Sequence, residues 1–428
     1  MGSRAPARRR RAPRVAGMLV LALTATTLAA AFGGASPSQG AGAKSTAGRV
    51  HLTPAPPPGL CTSAVAPAHA LAGARTAMIK LAGPPFGIAS TRDGRWSFVD
   101  QAPGRLLVFS DAGLHPRLVH TLAVPGMALG NALSADGRYL VLADGGSDPA
   151  APSNAEVSDA VVVSVARAEA GQRDAVLGTL RGAHGSQLGP IEAAISPDGH
   201  YAFVSIEYSD QVAVYDLRAA LAENFAHPTY LGSVPLGESV VGLAVSPDGR
   251  WLYATSEARA GSETPTTPGT LSVISIASAG RDPADSVLAT VNAQCQPVRV
   301  VVSPDGSTVW VSARASDDLL AFSAAKLRSD PAHALLASVR VGAAPVGLAL
   351  VDGGRLVVLA DSNRYVGSKQ SSSLSVVDVA AALAGRRALL GEIPAGAFPR
   401  EMSLEGDGRT LLVGNFGSDQ LEAVQLKP

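Results

Sequence analysis

The stretch that decides the fold is Ala244-Val245-Ser246-Pro247-Asp248-Gly249-Arg250-Trp251-Leu252-Tyr253. A short apolar strand runs into an Asp-Gly turn, and a second apolar strand follows it. Asp-Gly between apolar strands is typical of a β-hairpin, because the turn needs a positive φ that glycine adopts at little cost. The stretch therefore predicts two antiparallel strands.

The same phrase recurs along the chain. Six further turns lie at Asp93-Gly94, Asp136-Gly137, Asp198-Gly199, Asp305-Gly306, Asp352-Gly353 and Asp407-Gly408. The turn aspartates are 43 to 62 residues apart, and a third and usually a fourth apolar strand follow each pair. Repeats of four antiparallel strands are typical of propeller blades. We predict an all-β fold over residues 76–428, a seven-bladed β-propeller of four-stranded antiparallel blades.

The seventh repeat has no fourth strand before the chain ends. An apolar stretch at Thr76–Leu81 stands ahead of the first repeat, where the other repeats have their outer strand. We expect this N-terminal strand to pair with Gln420–Leu426 and complete blade seven, since an unpaired edge strand is open to unwanted pairing.

The N-terminal residues 1–35 have the pattern of a secretory signal peptide. Six arginines precede an apolar stretch at Val15–Phe32, and small residues follow. An uncleaved anchor is the alternative. Residues 36–75 are rich in Pro, Ala and Gly and are predicted to form a mobile tail. We expect a secreted or extracytoplasmic bacterial protein that meets the membrane only through its export signal.

Charge and motif content exclude several classes of partner. The chain has 35 basic and 35 acidic residues, and loss of six signal-peptide arginines leaves 29 basic against 35 acidic residues. An acidic surface argues against nucleic acid, whose phosphates demand a basic footprint. The eight histidines show no zinc spacing, and no haem-attachment motif occurs. We predict no cofactor, no metal and a monomer that binds an unknown small molecule or protein.

The phrase Ala-Val-Ser-Pro-Asp-Gly-Arg at residues 244–250 is similar to the repeat of the YVTN-type β-propellers, a lactonase-like superfamily. Two further stretches, Ser205–Asp210 and Phe398–Glu401, resemble loops of the 6-phosphogluconolactonase-like propellers. The histidine that this branch usually has at inner-strand entries is absent here. The resemblance implies the propeller fold, with either non-enzymatic binding or lactone hydrolysis as its activity.

Alignment of the seven inner strands on their turns singles out one position. It is occupied by Gly87, Gly130, Glu192, Gly242, Arg299, Gly347 and Glu401. Three charged residues interrupt a glycine pattern there. By the same topology, Arg314, Arg400 and Glu207 belong to this face, and His184 lies on the approach to blade three.

These residues support two interpretations. The first is a ligand-binding set of Glu192, Arg299, Arg314, Glu401 and His184, and the second is a ring of ion pairs that only lines a wet channel. A cleft carboxylate can act as a general base while arginine stabilises an oxyanion, and Glu207 and Arg400 are the candidate catalytic residues for that chemistry.

The leading functional hypothesis is an exported, non-enzymatic binding or scaffold protein. The alternative is a lactonase-like hydrolase, so the sequence leaves open whether the protein is an enzyme. The only two cysteines, Cys61 and Cys295, are expected to form a disulfide in an exported protein, with two free thiols as the alternative.

Overall fold

The computed structural model describes residues 65–66, 69–110, 113–145, 159–183, 189–258, 268–364 and 371–426. The predicted signal peptide, residues 36–64 of the predicted tail (which include Cys61), and His184 lie outside these described residues. Within them the strands form seven four-stranded antiparallel sheets, which confirms the predicted seven-bladed β-propeller.

Blades 1 to 3 each consist of four consecutive strands, ordered from the inner to the outer strand, and one strand, β1 (Arg75–Lys80), precedes them. Their bounds are β2 (Pro85–Ser90), β3 (Trp96–Gln101), β4 (Arg105–Ser110) and β5 (Arg117–Ala123); β6 (Ala128–Leu133), β7 (Tyr139–Asp144), β8 (Ala160–Ser164) and β9 (Val176–Leu180); β10 (Pro190–Ile195), β11 (Tyr201–Ile206), β12 (Gln211–Asp216) and β13 (Tyr230–Pro235).

Blades 4 to 6 follow the same order, and blade 7 has three strands from the C-terminal end of the chain. Their bounds are β14 (Val240–Val245), β15 (Trp251–Ser256), β16 (Pro268–Ser275) and β17 (Val287–Cys295); β18 (Pro297–Val302), β19 (Thr308–Ala313), β20 (Asp318–Ser323) and β21 (Leu335–Arg340); β22 (Pro345–Val351), β23 (Leu356–Asp361), β24 (Ser371–Asp378) and β25 (Leu389–Ala397); β26 (Pro399–Leu404), β27 (Thr410–Asn415) and β28 (Gln420–Gln425).

The ring closes as the sequence predicts. Strand β1 pairs antiparallel with β28, with Ile79 opposite Leu421, and becomes the outer strand of blade 7. The residues just before β1 lie along blade 6, where the Leu71 amide donates to the Glu392 carbonyl (2.8 Å). This end of the Pro/Ala/Gly-rich segment is therefore held against the outer strand β25.

The Asp-Gly turns are stabilised by one repeated hydrogen-bond pattern. The Ser246 hydroxyl donates to the Asp248 carboxylate (2.6 Å) and accepts from the Trp251 amide (3.0 Å). Gly249 has φ +70°, the left-handed conformation that glycine adopts without a steric cost. Thr91, Ser134, Ser196 and Ser303 take the place of Ser246 in four other blades.

Short α-helices connect the third and outer strands of blades 2 to 6. Each begins after a Ser or Asp whose side chain accepts a hydrogen bond from a first-turn amide, which is the standard N-cap interaction. They are α1 (Val165–Glu169), α2 (Leu217–Ala222), α3 (Ile276–Ala279), α4 (Ala324–Ser329) and α5 (Val379–Leu383). No helix in the described ranges is long and apolar enough to cross a membrane.

The apolar core lies between neighbouring blades. Val141 and Val162 of blade 2 pack in one cluster with Val204 and Ala213 of blade 3, and each other interface has a cluster of the same kind. Each blade therefore buries both of its faces against other blades, as a repeat fold requires.

Candidate functional site

Every inner strand has a β-bulge where it begins. The register to the second strand shifts at this point in all seven blades, for example between Pro399 and Glu401. A bulge places two residues opposite one and re-aims their side chains. We call the face where the inner strands begin the mouth face, and the opposite face, with the Asp-Gly turns, the turn face.

The bulge supplies two consecutive residues from each blade. The first residues form the mouth layer, which consists of Phe86, Leu129, Ile191, Val241, Val298, Val346 and Arg400. The six apolar members pack together as one buried cluster, so they converge on the propeller axis. The second residues form the charged layer, which is the position predicted from sequence: Gly87, Gly130, Glu192, Gly242, Arg299, Gly347 and Glu401.

The glycines of the charged layer are required by the packing of the blades. A Cβ on Gly347 would lie 2.3 Å from the Arg400 carbonyl oxygen, and one on Gly242 would lie 2.3 Å from the Val298 carbonyl oxygen. Both contacts are with backbone of the next blade, which cannot move aside. Glycine at this position thus allows close approach of adjacent inner strands.

Arg299 brings the three charged members of this layer together. Its Nε donates to Glu401 Oε1 (2.7 Å) and lies 3.3 Å from Glu192 Oε2, and its Nη1 donates to the Val241 carbonyl (3.2 Å). The side chains are 7% exposed for Arg299 and 13% for each glutamate. The inner strands of blades 3, 5 and 7 thus meet in one buried ion cluster.

The ion cluster holds more acid than base. Burial raises the pKa of Glu192 to about 8, and the nearby Glu401 adds to this effect against the opposing charge of Arg299. A single guanidinium does not stabilise two buried carboxylates fully, so Glu192 keeps its proton at neutral pH.

Arg400 lies in the mouth layer, and no acidic side chain of the described residues is paired with it. Its Cζ is 3.9 Å from the ring centre of Phe86, 5.7 Å from that of Phe416 and 6.0 Å from that of Phe398. Within the described part of the chain its Nε is buried with no hydrogen-bond partner, and no ion pair to Arg400 is present. Burial and the neighbouring Arg299 lower its pKa.

Three further charged residues lie near the mouth, each directly after the second strand of its blade. In blades 3, 4 and 5 these residues are Glu207, Glu257 and Arg314. Arg314 Nη2 lies 2.8 Å from Glu257 Oε2, and the Ser239 hydroxyl donates to Glu207 Oε1 (3.2 Å). Each of these carboxylates thus has a protein partner.

The candidate catalytic pair does not form a direct contact. Burial raises the pKa of Glu207, and Glu257 adds to it, while Arg400 acts on Glu207 only through its charge. Among the described residues no hydrogen bond or ion pair joins Glu207 to Arg400. Arg400 thus acts on Glu207 by charge alone, and the direct partner of Glu207 is the Ser239 hydroxyl.

Cys295 is buried and is disulfide-bonded. The other cysteine of the sequence, Cys61, lies outside the described residues, so the Cys61–Cys295 pairing stays a prediction. The predicted ligand-binding residue His184 is likewise outside the described residues.

Sequence reasoning missed the aromatic environment of Arg400. Phe86 and Phe416 are in contact edge to face, with centroids 6.4 Å apart, and Phe398 and Phe416 are 5.6 Å apart. Reading the inner-strand alignment one position earlier would have shown six apolar residues and Arg400. Glu257 and Ser239 had no comparable signal, because they follow from tertiary contacts.

The rest of the described structure offers no stronger candidate site than the mouth face. No group of side chains able to hold a metal ion occurs in the described ranges. A cavity of about 490 Å³ lies between blades 2 and 3, lined among others by Arg138, Arg167 and Phe225, and contains none of the predicted site residues. Arg167 there is paired with Asp174.

Comparison with known proteins defines a class of fold. Hydrazine synthase of Kuenenia stuttgartiensis contains a similar chain, with a TM-score of 0.61 and 17% identity over 81% of this chain and 97% of that chain. At this identity the likeness shows the fold alone, and 1545 solved chains match. No family model matches the sequence, and no curated protein matches it. The chain is a seven-bladed β-propeller whose charged and aromatic residues converge at the mouth face.

Proposed function

We propose that the chain is an exported, YVTN-type propeller that binds a small anionic ligand at its mouth face without catalysing a reaction. The single observation that carries this proposal is Arg400, a guanidinium in an apolar layer with no acidic partner in the described residues. A buried charge is costly unless it is paired. An anionic ligand would supply the missing partner.

The surroundings of Arg400 favour a carboxylate over other small anions. A guanidinium binds a planar carboxylate through two parallel N–H···O bonds. Phe86, Phe398 and Phe416 add apolar surface beside it, which suits a carboxylate with an aromatic or aliphatic body. The nearest arginine in the charged layer, Arg299, already has two glutamates and is not needed for the ligand.

A lactonase-like hydrolase is the second candidate, and the raised pKa of Glu207 favours it. A carboxyl group whose pKa is raised by burial can accept a proton at neutral pH. Glu207, however, accepts a hydrogen bond from Ser239 and has no described contact with Arg400. The candidate general base therefore has no arginine beside it to stabilise an oxyanion.

Export is supported by two independent features. Residues 1–35 have the composition of a signal peptide, and Cys295 is disulfide-bonded. Disulfides persist mainly in oxidising compartments outside the cytoplasm.

The binding proposal is tested by calorimetry with benzoate, acetate and phosphate on the purified exported protein. Wild-type protein should bind benzoate more tightly than acetate, and Arg400→Gln should lose at least tenfold in affinity. Arg181→Gln, an exposed arginine on the approach to blade 3, serves as the matched control and should bind as wild type does. Equal affinities of wild type and Arg400→Gln would contradict the proposal.

The hydrolase alternative has its own assay. Turnover of chromogenic lactones and esters by wild type, lost in Glu207→Ala, would establish catalysis and overturn the non-enzymatic part of the proposal. A ligand retained through purification and seen by native mass spectrometry would support binding.

A further inference from the structure

In the charged layer the acids outnumber the bases. Glu192 and Glu401 share Arg299, and a third acid, Asp100 of blade 1, is fully buried and electrostatically coupled to Glu192. Two carboxyl groups therefore share one guanidinium, and a third buried carboxyl group acts on Glu192.

Asp100 has the contacts of a carboxyl group that keeps its proton. Its Oδ2 accepts from the Asn131 side-chain amide (2.9 Å), whereas its Oδ1 is buried without a hydrogen-bond partner among the described residues. Asn131 Oδ1 is also buried and without a partner there. Burial raises the pKa of Asp100 well above its ordinary value. A proton on this carboxyl group removes the cost of an unpaired buried charge.

Glu192 differs from Asp100 because both layers of the mouth act on it. The charged groups that face it are Arg299 of β18, Glu401 and Arg400 of β26, and Asp100 of β3. Arg299 and Arg400 favour its ionised form, and burial and Glu401 oppose it. Its protonation therefore depends on whether the charge of Arg400 is neutralised.

We propose that in alkaline solution, where Glu192 of the ligand-free protein is ionised, the mouth face captures its anion together with a proton, which Glu192 takes up when the ligand neutralises Arg400. This inference rests on the proposed anion binding. The physical reason is the linkage between two coupled charges: an anion at Arg400 removes part of the positive potential that favours ionised Glu192. Binding and protonation are then reciprocal, so each strengthens the other.

The sign of the pH dependence follows. Below the ligand-free pKa of about 8, Glu192 is protonated with and without ligand, and affinity is independent of pH. Above it the ligand-free protein loses the proton, while the complex keeps it. Affinity then falls with rising pH, by at most tenfold per pH unit for one proton.

Proton uptake is tested by calorimetry of benzoate binding in Tris and in triethanolamine. The pH is 8.5, roughly half a unit above the ligand-free pKa of Glu192. The two cationic buffers differ in ionisation enthalpy, and neither competes for an anion site. The difference between the binding heats in the two buffers therefore gives the number of protons taken up per ligand. Wild type should take up a fraction of one proton per ligand. Glu192→Gln should take up clearly less, because only Arg400, whose pKa burial lowers to about 9, is then left to gain a proton, and its affinity should fall less steeply as the pH rises.

Glu223→Gln, the same change at an exposed position of blade 3, is the matched control and should keep the proton uptake of wild type. Benzoate binding without proton uptake, or equal uptake by Glu192→Gln, would overturn the inference and leave the binding proposal standing. If Glu192→Gln fails to fold, the affinity of wild type from pH 6 to 9 decides, because a constant affinity contradicts proton capture. Absence of benzoate binding would contradict the proposed function and this inference with it.

Discussion

The two faces of the propeller hold their carboxylates in opposite ways. On the turn face, Asp305 is exposed, and the hydrogen bond from Ser303 lowers its pKa. On the mouth face, Glu192 and Asp100 lie out of water, and burial raises the pKa of each. The turn-face charges stabilise the fold, whereas the mouth-face charges reduce its stability. Groups that cost stability are expected where a protein binds or reacts.

The comparison also explains the different roles of glycine. On the turn face Gly249 supplies a positive φ, and the Cβ of another residue there would meet only Pro197 at 3.3 Å. On the mouth face Gly347 allows one backbone to approach another. The first role is local to a turn, and the second involves two blades.

The largest expected effect is at the mouth-face glycine. Gly347→Val places a branched side chain against the Arg400 carbonyl and should cost about 3 kcal/mol or more in the free energy of unfolding. Gly249→Ala should cost about 1 to 2 kcal/mol, the strain of a left-handed residue with a Cβ. Urea unfolding of both variants measures the difference. Equal losses would show that the two glycines serve the same purpose.

An effect of similar size is expected at the ion cluster. Arg299→Met leaves Glu401 and Glu192 buried without their cation and should cost about 3 to 5 kcal/mol near neutral pH. The triple variant Glu192→Leu/Arg299→Met/Glu401→Leu should recover most of the stability. A triple variant as unstable as Arg299→Met would contradict this account of the cluster.

A smaller effect is expected in the pH dependence of stability, which differs between the two faces. Asp305 and Asp93 have lowered pKa values, so the stability that they contribute is present above their ordinary pKa of 3.8 and is lost as the pH falls below it. The contribution of Glu192 to stability depends on pH in the opposite direction. Its contribution is complete below pH 4.5 and is lost as the pH rises towards about 8.

Urea unfolding midpoints measured from pH 3 to 9 give stability as a function of pH, with an acid limb set by the turn-face aspartates and an alkaline limb set by Glu192. Ser303→Ala should change the acid limb, and Glu192→Gln should flatten the alkaline limb. A Glu192→Gln profile that matches wild type above pH 5 would show that Glu192 is ionised in the folded protein at neutral pH.

The turn face could be predicted from sequence because its signals are local. The Asp-Gly turns and their strands are each contained in about ten residues, so their spacing predicts seven blades. The missing fourth strand of the seventh repeat predicts a closing strand at Thr76–Leu81, which the structure has at Arg75–Lys80. The same register places Glu192, Arg299 and Glu401 at one position, and the structure brings them together.

The mouth face could be predicted only in part. Arg400 was expected to act with Glu207. The inner-strand alignment read one position earlier places Phe86 in the layer of Arg400, but no sequence pattern indicates that Phe398 and Phe416 contact Arg400 as well. Nor does a pattern show that Arg299 takes both glutamates and leaves Arg400 without one. Which charged side chains pair with each other depends on distances between blades, and the sequence of the repeats does not give those distances.

The most direct test of the central claim, that Arg400 is kept for an anion and not for stability, is one thermal unfolding series. Wild type and Arg400→Met are melted with and without benzoate. Without ligand, Arg400→Met should unfold at or above the temperature of wild type, because methionine packs on Phe86 without a buried charge. Benzoate should raise the midpoint of wild type, as a ligand of the folded state must, and leave Arg400→Met unchanged. An Arg400→Met protein that unfolds well below wild type, with both responding equally to benzoate, would contradict the account.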